Sequence, residues 1–224
     1  MLDSFYIGAY WGSRAEPLDQ VKNKIIQTLK LLGELDEQFL NWYELGMSRK
    51  KALENKFVSN DENIKRLCLQ KVKKGELDKN GFSKSGFIFS LWTGHKEEEA
   101  SSISFVVGDE LKISNLGNSC VIKIPYEGDA KDRLLKIDKA KKIISFLVEI
   151  WNPDYAVLTS HVLGNKLNVL NEIGWITYRK SIKRISKISD SIFHEESENG
   201  HWFFLKSEYD IAVANDLLSI KKMI

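Results

Sequence analysis

Four groups of side chains in this 224-residue chain have the composition of chemical sites. His194, Glu195 and His201, with Glu196 and Glu198 among them, put imidazoles beside carboxylates. That combination binds divalent metals or exchanges protons, as a metal-dependent hydrolase requires. Ser197, Asn199 and Gly200 interrupt the group, so a solvated hairpin loop is the favoured reading. Glu97, Glu98 and Glu99 follow Gly94-His95-Lys96. Three adjacent acids do not converge on one metal without a sharp turn, and a solvated hairpin tip is expected. Their functional alternative is an acidic contact for a basic partner. Arg179, Lys180, Lys183, Arg184 and Lys187 make a basic stretch that would contact phosphates in a nucleic-acid-binding regulator. Aromatic residues are not interleaved with it, and a solvated face is favoured. Ser48-Arg49-Lys50-Lys51 matches S-x-x-K, but three consecutive cations do not desolvate Lys51 into a base, and Ser48 reads as a helix N-cap. The chain contains no Gly-rich phosphate loop, no G-x-G-x-x-G, no H-E-x-x-H and no G-x-S-x-G.

The elements that position these groups follow from hydrophobic period. Residues 5–11 are an aromatic strand, broken by Gly12. Leu18, Val21, Ile25, Leu29 and Leu32 predict a helix over 16–32, with Pro17 in its first turn and Gly33 as its stop. Residues 38–45 fit a short strand or a helical turn. Ser48 caps a short helix reaching about Asn55. Ser59 and Glu62 form a capping box for a helix that buries Ile64, Leu67, Cys68 and Val72 and ends at Gly75. Three short strands follow, around 87–92, 103–107 and 120–124, as an antiparallel meander with one wet face. Ala140, Ile143, Ile144, Leu147, Val148 and Trp151 lie on one face of a helix over 134–151, which Pro153 ends. Residues 155–159 are apolar on both faces, as a central strand would be. Strands at 175–178 and 202–205 and a last helix capped by Asp210, with Ile211, Ala214, Leu217 and Leu218 inward, complete the order. Strands and helices are partly segregated, which favours α+β: a mainly antiparallel or mixed central sheet with helices packed on it. No Pro/Ser/Gly-rich linker divides the chain, so one domain over 1–224 is expected.

Composition narrows the class. Lys plus Arg is 33 and Asp plus Glu is 31, a net charge of +2, with 43% hydrophobic and 29% charged residues. These values exclude a disordered chain, a collagen and a coiled coil, and argue against a dedicated nucleic-acid binder. The two cysteines, Cys68 and Cys120, exclude a disulfide-dense scaffold and a four-cysteine zinc site, and read as small buried hydrophobes. Trp151, Trp175 and Trp202 occupy core-type positions; Trp11 and Trp42 lie beside loops, with core burial again favoured. Residues 1–6 lack the basic and apolar regions of a secretory leader, and the longest apolar stretch, 143–148, is far shorter than the roughly 20 residues of a membrane span. A cytoplasmic protein with reduced cysteines and no cofactor is expected.

Phe5-Tyr6-Ile7-Gly8-Ala9-Tyr10-Trp11-Gly12-Ser13-Arg14-Ala15-Glu16 resembles the opening of the immunity protein 52 family of bacterial polymorphic toxin systems. The likeness continues in Trp42-Tyr43, Ser48-Arg49-Lys50-Lys51-Ala52-Leu53, Thr159-Ser160 and Gly174-Trp175-Ile176-Thr177-Tyr178. It implies a non-enzymatic α+β protein that binds and neutralises a toxin encoded beside it. In this family that toxin is usually a nuclease-type domain of restriction-endonuclease-like fold, often exported by type VI secretion. No nucleic acid or membrane partner is implied, and no interface residue carries over by position. A basic nuclease cleft would be plugged by acids, which singles out Glu97, Glu98 and Glu99 and, as a second patch, Glu195, Glu196 and Glu198.

Overall fold

The computed structural model describes residues 3–96, 98–110, 117–168, 172–183, 188–206, 209 and 215–221. Strand β1 (Phe5–Trp11) is followed by helix α1 (Leu18–Leu35), a 3-10 turn (Glu37–Phe39), β2 (Trp42–Glu44), α2 (Arg49–Leu53), β3 (Lys56–Phe57) and α3 (Asp61–Leu69). Then come β4 (Ser85–Trp92), β5 (Ser102–Asp109), β6 (Asn118–Lys123), α4 (Asp129–Leu135), α5 (Ile137–Trp151) and β7 (Tyr155–Ser160). The remainder is α6 (His161–Leu167), β8 (Ile176–Arg179), β9 (Ile192–Ser197), β10 (Gly200–Leu205) and α7 (Leu218–Lys221). The strands form one sheet in the order β3-β2-β4-β5-β6-β1-β7-β8-β10-β9. Each neighbouring pair is antiparallel. The fold is α+β.

Side-chain alternation divides the sheet into two faces. Ile7, Ala9, Trp11, Phe105, Cys120 and Ile122 point to the helical face, where α1 and α5 cover them and α3 packs on β4 beside α1. Trp11 stacks on Trp151 at 5.4 Å, and the Trp151 Nε1–H donates to Thr28 Oγ1 at 3.0 Å, so β1, α1 and α5 share one joint. On the opposite face of β4, β5 and β6 the side chains of Ile88, Ser90, Ser104, Val106, Val121 and Lys123 are half-buried, the wet face of the meander.

Several boundaries differ from those expected. Pro17 is the N-cap of α1, with extended ψ 152, and its carbonyl accepts from Val21 N–H. Gly33 does not stop α1, which runs to Leu35 because Asp36 turns extended there. Asn60, one residue after Ser59, caps α3 by accepting from Asn63 N–H at 2.8 Å. That helix ends at Leu69, short of Gly75. Residues 38–45 hold both forms, a 3-10 turn and then β2. The helix expected over 134–151 is two helices broken at Lys136, whose ψ of 128 is extended. The break turns Arg133 and Lys139 together onto Asp36, at 3.0 and 3.3 Å. The loop expected at 194–201 is instead strand β9, a two-residue turn at Glu198-Asn199, and the start of β10. The Asp210 cap, Ile211 and Ala214 lie outside the described residues; Leu217 is buried.

Candidate protein-interaction site

The β4–β5 connection carries the first acidic group. Glu98 and Glu99 are exposed at its tip, and Glu97 lies outside the described residues. The tip is tied to its neighbours through backbone. Tyr126 N–H donates to the Glu98 carbonyl at 2.7 Å, and Gln38 Nε2–H donates to the Glu99 carbonyl at 2.8 Å. Gln38 is 5% exposed, so it is a buried strut under the tip. Arg49 of α2 reaches the carbonyls of Gly94 and His95 at 3.5 Å. Gly94 has φ +80, and a Cβ there would meet the Tyr43 ring of β2. The segment 40–58 and the acidic tip are thus held side by side, with Glu98 and Glu99 exposed.

The second group is arranged differently. His194 and Glu195 are successive residues of β9 and point to opposite faces. Glu195 turns toward α5, where Lys141 Nζ lies 2.8 Å from its carboxylate. His194 stacks on Phe203 and faces His201, with Nε2 and Nδ1 3.4 Å apart. Burial and the neighbouring His201 push the His194 imidazole below its ordinary pKa, with Glu196 opposing them. His194, Glu195 and His201 therefore do not converge on one point. Among the described residues no group of three or more His, Cys, Asp or Glu is placed to hold a metal ion. Glu196 and Glu198 remain exposed.

The strand registers also separate the two acidic groups. The β4–β5 tip lies at the end of the sheet where β1 begins, and the β9–β10 turn where β1 finishes. Six strand steps lie between β5 and β9, roughly 29 Å at a spacing of about 4.8 Å.

The basic stretch is broken up too. Arg179 is 7% exposed, packed over the Tyr155 ring at 4.5 Å and donating from Nη2 to the Glu172 carbonyl at 2.6 Å. Burial pushes its guanidinium down to about 10. Lys180 and Lys183 are exposed, while Arg184 and Lys187 lie outside the described residues. Ser48 caps α2, accepting from Lys51 N–H at 3.3 Å.

Sequence reasoning missed the large apolar side chains left in solvent: Leu40, Leu45, Met47, Val58 and Phe193. Each has a core-type identity, and only the tertiary placement of β3 and β9 as the edge strands, with β2 next to β3, exposes it.

The molecule so described is an antiparallel sheet backed by helices, with exposed acidic groups at opposite ends of the sheet. A family model described as Immunity protein 52 matches residues 3–187, most of the chain. The protein is thus of the immunity class, and the chain belongs to the Immunity protein 52 family. No curated protein matches it. No helix among the described residues is long and apolar enough to cross a membrane.

Proposed function

We propose that this protein binds one cognate toxin in the bacterial cytoplasm and blocks it sterically, without catalysis or cofactor. Membership of an immunity family carries this reading. The toxin is of nuclease type, with a restriction-endonuclease-like fold and delivery by type VI secretion, and the inhibitor covers its active cleft. A nuclease cleft is basic where it holds the phosphate backbone, which suits the exposed carboxylates of Glu98 and Glu99 on their buttressed tip, with Glu97 beside them. Glu196 and Glu198 form a weaker second contact. Glu195 contributes least there, because Lys141 already neutralises it.

Co-expression with the toxin domain encoded beside the gene tests this reading. Cells making both proteins are expected to grow where cells making the toxin alone do not, and the two proteins to co-purify. Lack of rescue and of a complex would refute it. Glu98→Lys/Glu99→Lys is expected to slow association about tenfold at low salt, with the difference shrinking as salt rises. An unchanged rate would remove the tip from the interface.

A further inference from the structure

Leu40, Leu45, Met47 and Val58 are more than half exposed and all belong to the segment 40–58. This segment forms β2, α2 and β3, one edge of the sheet. Trp42 pairs with Phe57 and Tyr43 with Lys56, so Leu40 and Val58 lie at one end of the edge. Leu45 and Met47 lie at the other end, beyond Glu44. A groove of about 450 Å³ runs between α1 and this edge, lined by Ile26, Leu40, Trp42 and Phe57 together with the charged Lys30 and Glu34. Residues 45–51 are exposed without interruption, and Met47 is wholly in solvent.

Large apolar side chains left in solvent along one edge, with Leu45 and Met47 two residues apart at one end of it, mark a surface that a partner covers. The polar rim states which partner. Along residues 40–58, Arg49, Lys50, Lys51 and Lys56 are exposed, against two carboxylates: the exposed Glu54 and the half-buried Glu44, which already pairs with Arg66. A second copy meeting this edge across a twofold axis would bring the four cations against themselves. A partner offering an apolar surface flanked by carboxylates would satisfy both halves of the patch.

We infer that the edge 40–58 is the surface on which the toxin docks, its apolar side chains supplying the affinity and its cations pairing with toxin carboxylates. The inference rests on the immunity reading above. It places the acidic tip, held against this same edge by Gln38, Tyr43 and Arg49, at the rim of the interface. Charges at a rim set approach and orientation, while desolvated apolar anchors hold the complex.

The test uses the full chain, the toxin domain encoded beside the gene, and the variants Leu45→Asp/Met47→Asp and Phe193→Asp. Met47 lies wholly in water and Leu45 is 65% exposed, so the thermal midpoint of the double variant is expected to stay close to that of the wild type. The double variant is expected to weaken toxin binding about 30-fold or more and to lose protection in cells. Phe193→Asp, at the opposite edge of the sheet, is expected to do neither. Full binding by the double variant beside a protecting wild type overturns the docking surface and leaves the immunity reading intact. Failure of the wild type to bind or protect overturns both. A wild-type dimer in sedimentation that Leu45→Asp/Met47→Asp dissolves assigns the edge to a second copy and overturns the proposal.

Discussion

The Tyr10 ring lies flat across Gly8, where any Cβ would overlap it, and stacks on Tyr155 at 5.1 Å; the Tyr155 ring in turn carries the Arg179 guanidinium. A Cβ at Gly174 would run into the Leu158 carbonyl of β7. Arg14 donates to the carbonyls of Trp151 and Asn152, the open end of α5, and Ser160 both caps α6 and donates to Asp3 at 2.6 Å. Tyr10, Arg14 and Ser160, among the residues that carry the family resemblance, are therefore joints of the fold, each tying together segments distant in the chain. Gly8→Ala forces the Tyr10 ring away and is expected to cost about 2 kcal/mol as an overpacked core substitution. Equilibrium denaturation measures this, and an unchanged midpoint would mean that the ring has room to move.

Asp36 joins the ends of four elements. Its carboxylate accepts from Gln38 N–H to cap the 3-10 turn after α1, and takes Arg133 of α4 and Lys139 of α5. Burial works against its charged form, but donation from Arg133, Gln38 and Lys139 prevails and holds the carboxyl below the ordinary carboxylate range. A folded-state value below the unfolded one adds stability that is fully present above the unfolded pKa of about 4 and is lost as pH falls through the folded value. Asp36→Ala is expected to lower stability at pH 7 by about 2 kcal/mol, since two cations lose a nearly buried partner. That gap is expected to narrow as pH falls below about 4, and urea melts at pH 7 and pH 3 would show it. A gap of equal size at both values would assign the effect to packing. The hydrophobic pattern alone made 134–151 one helix; the break at Lys136 answers to Asp36, about a hundred positions earlier in the chain, and local periodicity carries no trace of it.

At the scale of the whole molecule, one continuous core runs along the helical face of the sheet, and both cysteines lie in it without exposure. Burial pushes the Cys68 thiol up to about 12 and raises Cys120 as well, so neither forms the thiolate that reacts. Thiol reagents are expected to leave the native protein unmodified and to label both residues only at the rate of opening; fast labelling of either under native conditions would contradict this packing. Apolar period and alternation are properties of neighbouring residues, and the sequence by itself determined what depends on them: β1, α1, the β4–β5–β6 meander, the amphipathic α5, the burial of Trp151, Trp175 and Trp202, and the α+β class. Tertiary structure alone decided the order of strands and what each site residue faces. It made β9 a paired edge strand, so that alternation sends Glu195 to Lys141 and His194 to His201. It buried Arg179 under the loop at Glu172, and it set the two acidic groups at opposite ends of the sheet. Sheet order depends on which strands meet across long stretches of chain, and Met47 stays in solvent because it lies in the segment that forms the β3 edge, one of the two edges of the sheet.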